Sequence, residues 1–222
     1  MRMLLTDAGI TNPSIEAALV ALLGKPIEES VALDVPTALH PGPNGAFQAR
    51  KVVAGLEERS PYAQLPWKAI GLFELTALPT VGRERWEPVL RAADVLLVEG
   101  GDALYLAHWM RESGVAELLP DLAELTYVGL SAGSMVMAPN IGQDFVGWTP
   151  PTGGDETLGL VDFAIFPHLD NPQLPDNTMA GAERWAARMT VPAYVMDDET
   201  AIKVIVGDIE VVSEGNWKLF QT

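Results

Sequence analysis

Thr126-Tyr127-Val128-Gly129-Leu130-Ser131-Ala132-Gly133-Ser134-Met135 reads as a short apolar strand that turns sharply into the start of a helix. Ser131 stands at the centre of Gly129-x-Ser131-x-Gly133, the pattern that carries a serine at the tip of a tight strand-to-helix turn. So tight a turn presses neighbouring chain against the positions two before and two after the serine, which therefore have to lack a Cβ. It lifts Oγ clear of the sheet and aims the first N–H groups of the helix at whatever Oγ attacks. A strand that feeds a helix is also the repeating unit of a parallel α/β sheet.

The same alternation continues on either side. Upstream, strands are expected at 3–6, 30–35, 68–75 and 94–99. Between them lie helices. One starts at Asn12-Pro13-Ser14, carries Ile15, Ala18, Leu19, Leu22 and Leu23 at helical spacing, and stops at Gly24-Lys25-Pro26. Others are expected over 47–59, 83–93 and 103–113, the last capped by Asp102 and broken by Gly114, with a further helical piece over 115–124. Downstream, 150–154 is a Pro/Gly loop, followed by a strand at 160–166, a helix at 178–189 and a strand at 193–196. The end of the chain changes character: Ala201–Val206 and Ile209–Val212 flank Gly207-Asp208, a hairpin signal, and 217–220 adds a short strand. Continuous apolar strands alternating with amphipathic helices imply an α/β fold, with a largely parallel sheet, helices on both faces and an antiparallel C-terminal hairpin. No linker or repeat divides residues 1–222, so one domain is expected.

Composition bounds the chemistry. A chain of 222 residues can bury roughly 70% of its unfolded surface without staples. There are no cysteines, which excludes a thiolate nucleophile and a Cys-built metal site, and only three histidines, His40, His108 and His168. No metal and no organic cofactor are expected. A net charge of −16 opposes nucleic acid and anionic lipid as partners. The N-terminus carries no signal-like apolar run, and no stretch approaches the ~18 apolar residues of a membrane span, so a cytoplasmic protein is expected, as monomer or homodimer.

A serine nucleophile needs a base, and the base needs an acid to orient it. His108 lies within a helix and His40 in a solvated Pro/Gly loop, whereas His168 follows directly on a strand. Active crevices of open α/β sheets lie beyond the carboxyl ends of the strands, where Ser131 also sits. The same rule points to the cluster Asp197-Asp198-Glu199 for the acid, with Asp162 as an alternative inside the strand leading to His168. Ala132 N–H and the side-chain-free Gly100-Gly101 turn are candidate oxyanion donors.

Four ordered segments then resemble the motifs of the peptidase E (aspartyl dipeptidase) family of serine peptidases, with cyanophycinases as more distant relatives. They are Val98-Glu99-Gly100-Gly101-Asp102, Gly129-Leu130-Ser131-Ala132-Gly133-Ser134, Phe166-Pro167-His168 and Asp197-Asp198-Glu199-Thr200-Ala201-Ile202. The resemblance implies a flavodoxin-like fold similar to class I glutamine amidotransferase domains, and hydrolysis of short peptides, of which the type enzyme takes Asp-X dipeptides. It places the nucleophile on Ser131, the base on His168, and oxyanion donors on Gly101 (or Gly100) and Ala132. The third triad position falls on Asp198, where the type enzyme carries Glu. Asp102 and Arg184 are the candidate substrate contacts. The segment that supplies the family's substrate-binding Arg matches 177–184 here and has no Arg around Gly181–Ala182, which puts the Asp-X preference in question. Two other readings stand beside the dipeptidase: a homologue that binds without turnover, and a small-molecule esterase sharing the triad.

Overall fold

The structure, a computed structural model, describes residues 1–56 and 62–221. The elements run β1 (Arg2–Thr6), α1 (Pro13–Leu23), β2 (Val31–Val35), α2 (Gly45–Val53), β3 (Ala69–Leu72), α3 (Leu78–Val81), α4 (Arg83–Ala92), β4 (Val95–Val98), α5 (Ala103–Glu112), α6 (Val115–Leu118), β5 (Thr126–Leu130), α7 (Ala132–Met135), β6 (Ala164–Phe166), α8 (Met179–Ala186), β7 (Ala193–Met196), β8 (Thr200–Ile205), β9 (Asp208–Ser213) and β10 (Trp217–Phe220).

Seven strands form the main sheet in the order β3-β2-β4-β5-β1-β8-β9. The first five are parallel, and β8 and β9 close the edge antiparallel. Strand β4, beside the central β5, is buried along its whole length, as is β5 up to Gly129. Their unbroken Val/Leu/Tyr runs are what a strand covered on both faces requires. On one face α1 packs Ile15, Leu19 and Leu22 against Leu4, Leu97 and Val128. Each of these side chains stabilises by roughly 1.5–3 kcal/mol on burial. The Asn12 side chain caps α1 by accepting from Ile15 N–H at 2.9 Å. On the other face Trp86, Leu90, Leu104 and Met110 of α4 and α5 share a core with Met3, Leu5, Leu96 and Val98.

The C-terminal third departs from the single sheet expected. β6, β7 and β10 form a separate three-stranded sheet, in the order β10-β7-β6. Ile165, Tyr194 and Met196 face the main-sheet core, and Ala164, Phe166 and Val195 face Trp185 and Ala182 of α8. The strand that delivers His168 is also shorter than its apolar run, because the N–H groups of Leu158, Gly159, Leu160 and Val161 bond the carbonyls of Val136, Met137 and Ala138 instead. Those carbonyls are the ones left unpaired at and just past the end of α7. The helix expected over 115–124 stops at Leu118, since Pro120 has no N–H to continue it, and a 3₁₀ turn follows at Leu119–Asp121. The helix expected over 47–59 is the shorter α2, and 57–59 lie outside the described residues. The hairpin turn falls one residue early. Ile205 pairs with Asp208, so Val206 (φ 50°) and Gly207 (φ 88°) form the two-residue loop.

One buried feature carries a pH signature. Asp34 on β2 and Glu99 just past β4 are 0% and 3% exposed, and both oxygens of Asp34 and one of Glu99 lack a hydrogen-bond partner among the described residues. Burial pushes the Asp34 carboxyl up to about 7 and that of Glu99 to about 9, the latter also raised by the neighbouring Asp34. Unfolded, both ionise near pH 4. Between those limits the folded state holds protons that the unfolded state has released, so stability falls as pH rises. The contribution is fully present below pH ~4 and is lost through the neutral and mildly alkaline range. The melting temperature is expected to drop between pH 5 and 9, and Asp34→Asn to flatten that drop. Melting curves at both pH values test this, and identical slopes in the two proteins would contradict it.

Candidate active site

At the end of β5 the chain makes the turn that its sequence demands. Ser131 has φ 49° and ψ −109°, a region that non-glycine residues rarely occupy and that costs of order 1–3 kcal/mol. Its surroundings hold it there. Ser131 N–H donates to Thr6 O at 3.1 Å, Ser134 Oγ donates to the same carbonyl at 2.7 Å, and Tyr127 Oη donates to Gly133 O at 2.5 Å. A Cβ on Gly129 would meet Gly133 O at 2.4 Å, and one on Gly133 would meet Val98 O at 2.2 Å. The two glycines are thus set by close approach of backbone to backbone.

His168 arrives from the other sheet. It follows β6 and Pro167, and its Nε2 lies 2.8 Å from Ser131 Oγ. Its Nδ1 lies 3.0 Å from Asp198 Oδ1, and Asn171 Nδ2 donates to Asp198 Oδ2 at 2.9 Å. Asp198 sits in the turn between β7 and β8. The junction of two sheets therefore brings Ser131, His168 and Asp198 into one hydrogen-bonded line. The flanking acids are engaged elsewhere: Asp197 accepts from Thr200 Oγ1 at 2.8 Å, and Glu199 from Asn12 Nδ2 at 3.0 Å. Asp162 is exposed and precedes β6.

The other histidines are placed apart. His108 packs against Trp109 and Trp148, with ring centroids 5.3 Å away in each case. His40, expected to be solvated, is half-buried, and its Nε2 lies 2.8 Å from Glu74 Oε2.

The N–H groups of Gly100, Gly101 and Ala132 have no acceptor among the described residues. Gly100 lies against the turn, since a Cβ there would come within 3.4 Å of Ser131 Cβ. The Gly100 loop thus borders the serine, and backbone donors there and at Ala132 are the groups that stabilisation of an oxyanion would require.

Beside Gly101 lies a cavity of about 570 Å³ walled by Leu39, Pro41, Gln48, Asp102 and Trp148 among others. Trp148 is held edge-on to Tyr105 at 5.4 Å. Asp102 lines this cavity and is also tied into the fold. Its Oδ1 caps α5 by accepting from Leu104 and Tyr105 N–H at 3.0 and 2.9 Å, and its Oδ2 accepts from Trp148 N–H at 2.5 Å. Arg184 is exposed on α8, away from this cavity's lining, and its side chain makes no hydrogen bond or ion pair among the described residues.

One residue went unseen in the sequence. Asp7, just past β1, is 0% exposed, and both its oxygens accept from His168 N–H at 2.9 Å. Its Oδ2 lies 3.5 Å from His168 Nδ1. Burial raises its carboxyl well above the usual range against the lowering effect of the His168 N–H bond, and the Asp198 charge raises it further. The signal was present: Asp7 ends a strand on the same edge as Ser131. It belongs to no motif, however, that would single it out. Asp7, His168 and Asp198 also bring three potential ligand atoms within 4.8 Å of one another, but each is already committed to a hydrogen bond. Among the described residues no helix is long and apolar enough to cross a membrane.

The family model "Peptidase family S51" matches residues 53–212, which contain Ser131, His168 and Asp198 but not Asp7. An uncharacterised peptidase of Pasteurella multocida is 28% identical over 131 residues, covering 56% of this chain and 61% of its own length. A peptidase E of Streptomyces coelicolor is 36% identical over 107 residues, covering 46% of this chain and 43% of its own. The chain thus spans about three fifths or less of these relatives. A crystal structure from Listeria monocytogenes, titled as a peptidase E protein, superposes over 96% of this chain and 98% of its own, with a TM-score of 0.67 at 17% identity. At that identity the likeness speaks for the fold, a mostly parallel α/β sheet with an antiparallel edge.

Proposed function

The chain belongs to peptidase family S51, and from that premise we propose that it is a serine-type dipeptidase in which Ser131 is the nucleophile and His168 the general base. The observation that carries this reading is the 2.8 Å contact between Ser131 Oγ and His168 Nε2, made by a serine held at φ 49°. A serine with only a structural role has no reason to sit in so strained a conformation.

In the proposed reaction Oγ attacks the scissile carbonyl carbon as its proton passes to His168 Nε2. The carbonyl oxygen takes the negative charge and accepts from Gly101 and Ala132 N–H. As the C–N bond breaks, His168 returns the proton to the leaving amine. Water then enters by the same route and releases the acyl group. Asp198 holds Nδ1–H and so keeps Nε2 free to accept, and its shorter side chain reaches His168 at 3.0 Å.

We further propose that the substrate is a short peptide with a neutral N-terminal residue. The cavity next to Gly101 is walled by Leu39, the prolines and Trp148, and no Lys or Arg lines it among the described residues. An acidic side chain would leave water there without a charged partner, forfeiting a contact of roughly 1.5–3 kcal/mol. A panel of dipeptides assayed on the wild type tests this. Neutral N-terminal residues are expected to be cleaved at least tenfold faster than Asp-X, and an Asp-X preference would overturn the specificity assignment.

A further inference from the structure

His168 is held by more than its partner in the triad. Its backbone is itself unusual, with φ 56° at a non-glycine residue. The left-handed turn that aims the imidazole at Ser131 must therefore be fixed by its surroundings. Asp7 supplies that fixation, because its two oxygens share the His168 N–H at 2.9 Å each from a fully buried position at the end of β1, which lies between β5 and β8. Asp198 differs in setting. It is the nearer acid at Nδ1, but its side chain is 42% exposed and rests on a surface turn. Asp7 Oδ2 stands 3.5 Å from the same nitrogen with a side chain that is 0% exposed.

We propose that Asp7 is a second acid for His168, a positioning residue that fixes the His168 backbone and stands in reserve at Nδ1, so that two carboxyls rather than one orient the imidazole. The proposal rests on the reading of Ser131 as nucleophile. The charged and titratable groups facing Asp7 are His168 on the segment after β6, and Asp198 and Asp197 on the turn after β7. Asp198 carries the role at neutral pH. When Asp198 is absent, the Asp7 carboxyl takes it over by ionising. No new bond is needed beyond a shortening of the 3.5 Å contact.

The rate at which a fluorophosphonate labels Ser131 is the readout, since it depends on activation of the serine and not on the peptide substrate. Asp7→Asn keeps an acceptor for His168 N–H and the shape of the side chain, and Asp198→Ala changes a partly exposed turn, so both variants are expected to fold. Melting curves establish that they do. Each single variant is expected to lose about tenfold in labelling rate, and the double variant about 10⁴-fold, the loss expected when a sole triad acid is removed. In Asp198→Ala the rate is also expected to keep rising with pH beyond the point where the wild type levels off, because burial resists ionisation of the Asp7 carboxyl. A purely structural role for Asp7 would give a double variant equal to the product of the singles and no change in the pH profile, and would overturn the proposal. So would a 10⁴-fold loss in Asp198→Ala alone. A wild type that does not label at all would overturn the nucleophile reading itself, and this proposal with it.

Discussion

Ser131→Ala is expected to lower peptide turnover by about 10⁶-fold, the size of effect seen when a triad serine or histidine is removed. The substitution deletes one oxygen from a half-buried side chain and leaves the turn intact, so the protein is expected to melt within a few degrees of the wild type. His168→Ala is expected to give a loss of similar size, because the two act as a unit and the first removal forfeits nearly everything the pair supplies. Steady-state assays on the best dipeptide of the panel measure both. Turnover in Ser131→Ala within tenfold of the wild type would sink the assignment of the nucleophile.

The second large effect is expected at Gly101. Its φ of 135° lies where side chains are rarely accommodated, and a Cβ there would stand 2.2 Å from Ala38 O. Gly101→Ala must therefore rotate or displace the peptide plane that presents the Gly101 N–H. Loss of one oxyanion donor costs about 10²–10³-fold in kcat. The donor acts on charge that develops only in the transition state, so KM is expected to change little. Backbone strain should also lower the melting temperature, which makes the split between kcat and KM the informative reading. A Gly101→Ala variant with full kcat would mean that another group serves the oxyanion.

Much of this site was legible in the sequence because its parts obey local rules. Gly129 and Gly133 follow from the steric demands of a tight strand-to-helix turn, and the structure gives the clash distances that make them necessary. His168 and Asp198 were legible because each ends an apolar strand, and strand ends gather at one edge of a sheet. The separation into two sheets was not legible. β6 and β7 have the same apolar composition as main-sheet strands, and nothing local says that β8, rather than β7, pairs with β1. Strand β6 is shorter than its apolar run for a related reason, since residues 158–161 spend their N–H groups on carbonyls around the end of α7, a contact set by tertiary structure. Asp7 shows the same limit within the site. Its role comes from a backbone N–H 161 residues away, a pairing that the strand-end position of Asp7 does not by itself specify. Asp102 shows the converse, being legible as a helix cap while its tie to Trp148 N–H was not.

The proposed reactive centre of the molecule is one serine activated by one histidine. It is tested most directly by treating the wild type, Ser131→Ala and His168→Ala with a fluorophosphonate and mapping the adduct by peptide mass spectrometry. A single adduct on Ser131 in the wild type, absent from Ser131→Ala and reduced by at least 10³-fold in rate in His168→Ala, is the result expected if the base activates the serine as in other triads. A wild type without an adduct, or one labelled at another residue, would contradict it.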